Sequence, residues 1–204
     1  LKKYFEIYQK DKGQKIYEED KHYSFIEYSG GNITHWDFLD EEGGMASNQI
    51  SNNIFLIADT DGHKGKTIES TGELTAKAKR LVTLESNLKD GFYALEVKEI
   101  ENLLTPDIIM KLIREKEKDT DESIAFPEFT QEEYSNIGLG EYITNNLLGG
   151  VEKHKKYKAD SGTVADKVNF CNIACRHTKN IEHLSKEAKD ICEKLYNFIE
   201  KANK

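Results

Sequence analysis

The sequence is poor in cysteine, in proline and in long apolar runs, and each shortage excludes something. Three cysteines in 204 residues make an odd number and no disulfide framework, which fits a reducing compartment; a cytoplasmic location is expected. Two prolines leave room for long unbroken helices. No stretch reaches the ~18 consecutive apolar residues of a membrane-spanning helix. The first ten residues, LKKYFEIYQK, lack the apolar core and cleavage site of a signal peptide. Because the first residue is Leu rather than Met, the chain is expected to be a piece of a longer protein. A basic excess is absent too, since 37 acidic and 29 basic residues leave a formal charge of −8. That argues against a protein that coats nucleic acid by charge alone. It does not exclude an enzyme that reaches phosphodiesters through bound divalent cations, because such ions invert the local charge.

What is present is a pattern of alternating strands and helices, in a chain long enough for one sizeable core or a core with an appendage. LKKYFEIYQK spaces Leu1, Tyr4, Phe5 and Tyr8 as a helix does. HYSFIEYSG predicts a short strand ending at the Gly30–Gly31 turn. NIFLIAD is almost continuously apolar, as expected of a central parallel strand covered on both faces. A helix over 71–88 follows, with Ser70 or Thr71 as N-cap. GFYALEV predicts a third strand, KEIENLL leads into helix, and TPDIIMKLIREKEK starts a helix with Pro in its first turn. This order implies an α/β fold with a parallel sheet over residues 1–118. Beyond the polar connector DTDESIAFPEFTQEE, residues 119–204 form a helical extension, with helices expected over roughly 139–148, 163–177 and 185–202. The last carries Leu184, Ala188, Ile191, Leu195, Phe198 and Ile199 on one stripe.

The stretch NNIFLIADTDGHKGKTIE, residues 52–69, carries three competing chemistries. A phosphate-cradling loop needs four residues between its glycines ahead of Lys-Ser/Thr; Gly62 and Gly65 bracket only two, so that reading fails. A strand ending in D-x-D-G resembles the nucleophile motif of haloacid-dehalogenase-type phosphatases, but no later apolar strand ends in paired Asp. The third chemistry is metal binding. Asp59 and Asp61 are two apart at the end of a strand, so their carboxylates share a face if the extended backbone continues. In open α/β sheets that edge is where ligands bind. Two carboxylates held about 4 Å apart repel by about 1 kcal/mol in water and about 4 kcal/mol at an effective dielectric near 20. A hard divalent cation removes that cost. The bland alternative is that both Asp solvate a strand end.

The next strand adds weight, because FYALEV runs into KEIEN with Glu99 and Glu101. If strands 53–59 and 92–97 are neighbours, Asp59, Asp61 and Glu99 or Glu101 surround one crevice. Acidic residues also favour helix N-termini by about 0.3–1 kcal/mol, and the two roles are compatible.

Taken in order, HYSFIEYSGGNITHW, NNIFLIADTDG and FYALEVKEIENLL resemble the TOPRIM nuclease domain of the OLD (overcoming lysogenization defect) family of ATPase-nucleases, from residue 1 to about 110. The C-terminal LSKEAKDICEKLYNFIEKANK also looks like the end of such proteins. The resemblance implies a TOPRIM-like Rossmannoid parallel sheet flanked by helices. It implies DNA cleavage or nicking with Mg²⁺ or Mn²⁺, and an ABC-type ATPase fused upstream as the only link to ATP. It further implies a homodimer in the full protein and, as for several members, anti-phage defence. Asp59 and Asp61 match the D-x-D metal ligands, and the EIEN acid falls on Glu99 or Glu101. The family's C-terminal Lys matches Lys167 in DKVNF, where it would stabilise charge on the phosphate; outside the resemblance, such a Lys is solvated surface. The family's first strand, ending in Val-Glu-Gly, would precede Leu1, so this piece is expected to cleave DNA poorly alone. The rival classes are a non-catalytic TOPRIM scaffold that docks an ATPase or effector, and a phosphatase.

Three smaller features complete the reading. Cys171 and Cys175, with His177 nearby, suggest zinc, but the simpler expectation is one helix with both thiols on its packed side. His35 in THWD is expected to cap or pack. EKHKKYKAD, residues 152–160, is the one basic patch able to guide DNA, or a plain solvated loop.

Overall fold

The computed structural model describes residues 1–13, 15–26, 53–60, 75–150 and 156–204. Asp61, His35, the turn at Gly30–Gly31, the expected N-caps Ser70 and Thr71, and residues 152–155 of the basic patch lie outside the described residues. The fold is mixed α/β, with most described elements helical and one parallel strand pair.

β1 (Leu56–Ala58) and β2 (Phe92–Ala94) pair in parallel, with Leu56 opposite Phe92 and Ala58 opposite Ala94. The contact continues past both strands: Leu95 N–H donates to Ala58 O at 3.0 Å, and the Thr60 hydroxyl donates to Val97 O at 3.3 Å. The neighbour relation expected from the sequence is therefore present. β1 is also covered on both faces. Leu56 and Ala58 pack on Leu81 and Leu84 of α2 (Ala76–Leu88), while Phe55 and Ile57 pack against the main core. Alternation along the strand sends successive side chains to opposite layers, which is why NIFLIA has to be apolar throughout.

The main core draws on both halves of the chain. α1 (Lys2–Lys12) buries Tyr4, Phe5 and Ile7 and packs on α7 (Lys186–Ala202). α7 buries Ala188, Ile191, Cys192, Leu195, Tyr196 and Ile199, and the ring of Phe198 meets Phe55 at 5.3 Å. Lys12 lies over the rings of Tyr8 and Tyr196, at 5.3 and 5.2 Å, across the α1–α7 seam. α3 (Pro106–Glu117) starts at Thr105 with Pro106 in its first turn, buries Ile108, Ile109, Leu112 and Ile113, and packs on α6 (Lys167–His177). Between them in the chain come two short helices, α4 (Gln131–Tyr134) and α5 (Leu139–Tyr142), the latter widening into a π-helical turn over Ile143–Leu147.

Two local expectations change. Of the strand expected over 22–30, residues 22–26 form only one bridge, Glu19 with Tyr23. The rings of Tyr23 and Phe25 pack instead in a series from Phe5, with centroids 5.5 Å apart at each step. Cys171 is exposed and Cys175 half-buried, not both packed. α6 seats Phe170, Ile173 and Ala174, and one further residue, about 100° around the helix, rotates Cys171 outward. His177 pairs with Glu115 at 2.8 Å.

The turn after α3 is built on Asp119, whose side chain is 3% exposed. It accepts from Arg114 Nη1 at 2.6 Å, from the Ser123 backbone N–H and hydroxyl at 2.8 and 2.7 Å, and from Ile124 N–H at 3.1 Å. Burial opposes its ionisation, but these donors outweigh it and lower its pKa to about 2. A carboxylate with a lowered folded-state pKa stabilises the fold above its unfolded pKa, near 3.9, and that contribution fades as pH falls through about 2. Asp119→Asn is therefore expected to lower the urea midpoint at pH 7 and to narrow its gap from the parent as pH drops from 4 to 2. Parallel urea titrations across that range measure both.

Candidate metal and phosphate site

The C-terminal ends of β1 and β2 lead to the residues singled out in the sequence. Asp59 stands exposed at the end of β1, next to Thr60, which is buried and bonded to Val97. On the neighbouring strand the chain runs from Ala94 through Val97 into a single 3₁₀ turn, Ile100–Leu103, with Glu99 extended as its N-cap. Glu99 is buried at 3% exposure, and the Glu101 side chain is 14% exposed.

Asn102 holds this turn in place. Glu99 N–H donates to Asn102 Oδ1 at 3.2 Å, closing the turn on itself. Asn102 Nδ2 donates to the carbonyls of Tyr134 at 2.5 Å and Ile137 at 3.0 Å. Gln131 Nε2 donates to Asn102 O at 2.8 Å. A fully buried amide thus fastens the glutamate turn to α4 and to the approach to α5. The Leu139 N–H, at the start of α5, faces the Glu99 carboxylate and favours its charge.

Lys167 arrives from a distant part of the chain. Gly138 and Gly140 allow the backbone of 157–163 to lie directly on α5, since a Cβ at either would overlap the carbonyl oxygens of Gly162, or of Tyr157 and Thr163. That segment pairs Lys158 with Val164 and ends at Asp166. Asp166 sits in the left-handed region at φ 49° and caps α6 by accepting from Asn169 N–H at 3.3 Å. Lys167, the first residue of α6, places Nζ 2.9 Å from Glu101 Oε1 and 3.5 Å from Glu99 Oε2. Glu99 Oε1 and Glu101 Oε2 are buried, with no hydrogen-bond partner among the described residues.

The electrostatics follow from this packing. Burial first, and the Glu101 carboxylate second, raise the pKa of Glu99; Lys167 pulls the other way without prevailing. Burial alone would lower the pKa of Lys167, but Glu101 and Glu99 outweigh it and raise it. The ammonium is therefore the charged partner that keeps two carboxylates tolerable out of water. Two buried carboxylate oxygens with no hydrogen-bond partner among the described residues are the donor chemistry that suits a hard divalent cation.

The structure thus brings Glu99, Glu101 and Lys167 into contact and puts Asp59 on the adjoining strand end. Of the two glutamates Glu99 is the deeper, while Glu101 makes the shorter contact with Lys167. Among the described residues no group of three or more His, Cys, Asp and Glu side chains stands close enough to form a complete metal cage. The described part of the basic patch is charge-compensated. Lys156 pairs with Glu117 at 2.9 Å and Lys158 with Glu141 at 3.1 Å. Tyr157 between them is fully buried, with its hydroxyl on Glu117 at 2.7 Å. Asn102 escaped the sequence reading although it ends the EIEN motif; the signal available was an amide at the third position after an N-cap glutamate.

Comparison of the chain with protein-family models, with curated proteins and with solved structures finds no match.

Asn102→Ala removes the partner of one buried N–H and two carbonyls. It is expected to cost about 2–4 kcal/mol of unfolding free energy, measured by urea denaturation followed by circular dichroism.

Proposed function

We propose that the chain is the TOPRIM-like nuclease part of an OLD-type ATPase-nuclease, which hydrolyses DNA phosphodiesters with Mg²⁺ or Mn²⁺. The observation that carries this reading is the meeting of Lys167 with Glu99 and Glu101 beside the strand end that bears Asp59. These residues come from three separate segments. A solvated surface would have no reason to draw a lysine onto one buried and one half-buried carboxylate, each with an oxygen that has no partner among the described residues.

Asp59, Asp61, Glu99 and Glu101 would hold the cation. When bound, the cation supplies Lewis acidity toward the phosphate and an activated water. The residues of the chain do the rest. The glutamate turn, locked by Asn102, keeps the carboxylates at fixed positions, so no reorganisation is needed during the reaction. Lys167, on the rigid start of α6, brings a positive charge to the edge of the acidic cluster. There it can neutralise charge gathering on the phosphate oxygens. The net charge of −8 suits a metal well more than a DNA-coating surface. An upstream ATPase, a homodimeric parent and a role in anti-phage defence belong to the same proposal.

Calorimetric titration with MnCl₂ tests the reading. The parent chain is expected to bind Mn²⁺, and Asp59→Ala combined with Asp61→Ala to weaken binding at least tenfold, about 1.4 kcal/mol. Absence of any Mn²⁺ heat sensitive to those substitutions would leave a non-catalytic scaffold as the better account. Rapid hydrolysis of a generic phosphate monoester would favour the phosphatase.

A further inference from the structure

The bonding in the Glu99–Glu101–Lys167 cluster is uneven. Lys167 Nζ touches one oxygen of each glutamate, and the other oxygen of each is buried with no hydrogen-bond partner among the described residues. Among the described residues a single ammonium faces the two carboxylates, at a place where water has little access. The carboxylates are fixed: Glu99 is the N-cap of a turn tied down by Asn102, and its side chain is 4% exposed. The lysine is not fixed in that way. Its side chain is 53% exposed and leaves the first residue of a helix, so a few rotations carry the ammonium into solvent.

Two fixed carboxylates with a half-exposed cation between them form a site that already holds a positive charge. A divalent cation entering the site would need the oxygens that Lys167 now contacts, and it would repel the ammonium at close range. Resting on the metal-binding reading above, we infer that Lys167 is the resident counter-ion of this carboxylate pair and competes with the divalent cation for it. Arrival of the cation releases the ammonium toward the substrate phosphate. The same lysine therefore has two stations: on Glu99 and Glu101 before the cation enters, and at the outer edge of the site afterwards. The exchange guards the carboxylates while the site is empty, and it frees the phosphate-binding charge only in the loaded site.

The test is Mn²⁺ titration calorimetry at pH 8 on the parent chain, Lys167→Met and Lys167→Arg. Circular dichroism checks that each variant folds, as a half-exposed first helical residue allows. Removing one unit charge beside the cation is expected to tighten Mn²⁺ binding at least about tenfold in Lys167→Met, while Lys167→Arg binds like the parent. In ¹⁵N-lysine spectra of the parent, Mg²⁺ is expected to speed proton exchange at the Lys167 ammonium. Unchanged or weaker binding by Lys167→Met overturns the inference, because the lysine would then orient the carboxylates and not compete for them. If in that case the parent still binds Mn²⁺ through Asp59 and Asp61, the metal reading survives and only the competition fails. If neither protein binds Mn²⁺, both fail.

Discussion

Two carboxylates drawn out of water need a counter-charge, and most of the architecture around Glu99 and Glu101 serves to supply one. The glutamates sit on a turn that continues from β2, and the ammonium comes from the first residue of α6. For these groups to meet, the strand pair and the helical half must share one core. They do: α3 packs on α6, α1 packs on α7, and residues from both halves fill the same apolar cluster. The ion pairs contribute little beyond offsetting the desolvation of their own members. Their importance is positional, because they tie the end of the sheet to the helical half.

Two further devices carry the same constraint. Asn102 spends its whole amide on holding the glutamate turn against α4 and the start of α5. Gly138 and Gly140 then allow the segment leading to Asp166 to lie directly on α5. Without that close approach, the start of α6 would stand further from the glutamates. The chain of contacts runs from strand end to turn, from turn to α5, from α5 to the 157–163 segment, and from there to Lys167. Each link is polar or sterically tight, which holds the carboxylates and the backbone at the start of α6 in fixed positions.

The strand pair was legible in the sequence because both of its members are short apolar runs bounded by polar residues, and the helices because their apolar positions recur at helical spacing. The stripe on α7 is legible nearly residue for residue, and the structure adds Cys192 and Tyr196 to it. Other features escaped for physical reasons. Cys171 lies one position off the packed stripe of α6, and periodicity over eleven residues does not resolve a rotation of that size. Lys156 and Lys158 looked like an open cationic patch because their partners, Glu117 and Glu141, are remote in sequence. Asp119 looked like a loop acid, yet it organises the turn that follows α3.

By itself the sequence determined which segments become strands and helices, since side-chain size, polarity and spacing act locally. It also placed acidic residues at the ends of two apolar strands, the one local pattern with chemical content. Only the tertiary structure decided that both Glu99 and Glu101, and not one of them, meet Lys167, and that each keeps an oxygen with no partner among the described residues. Those outcomes depend on burial and on contacts across sixty-eight residues of chain. Neither quantity exists until the core has closed.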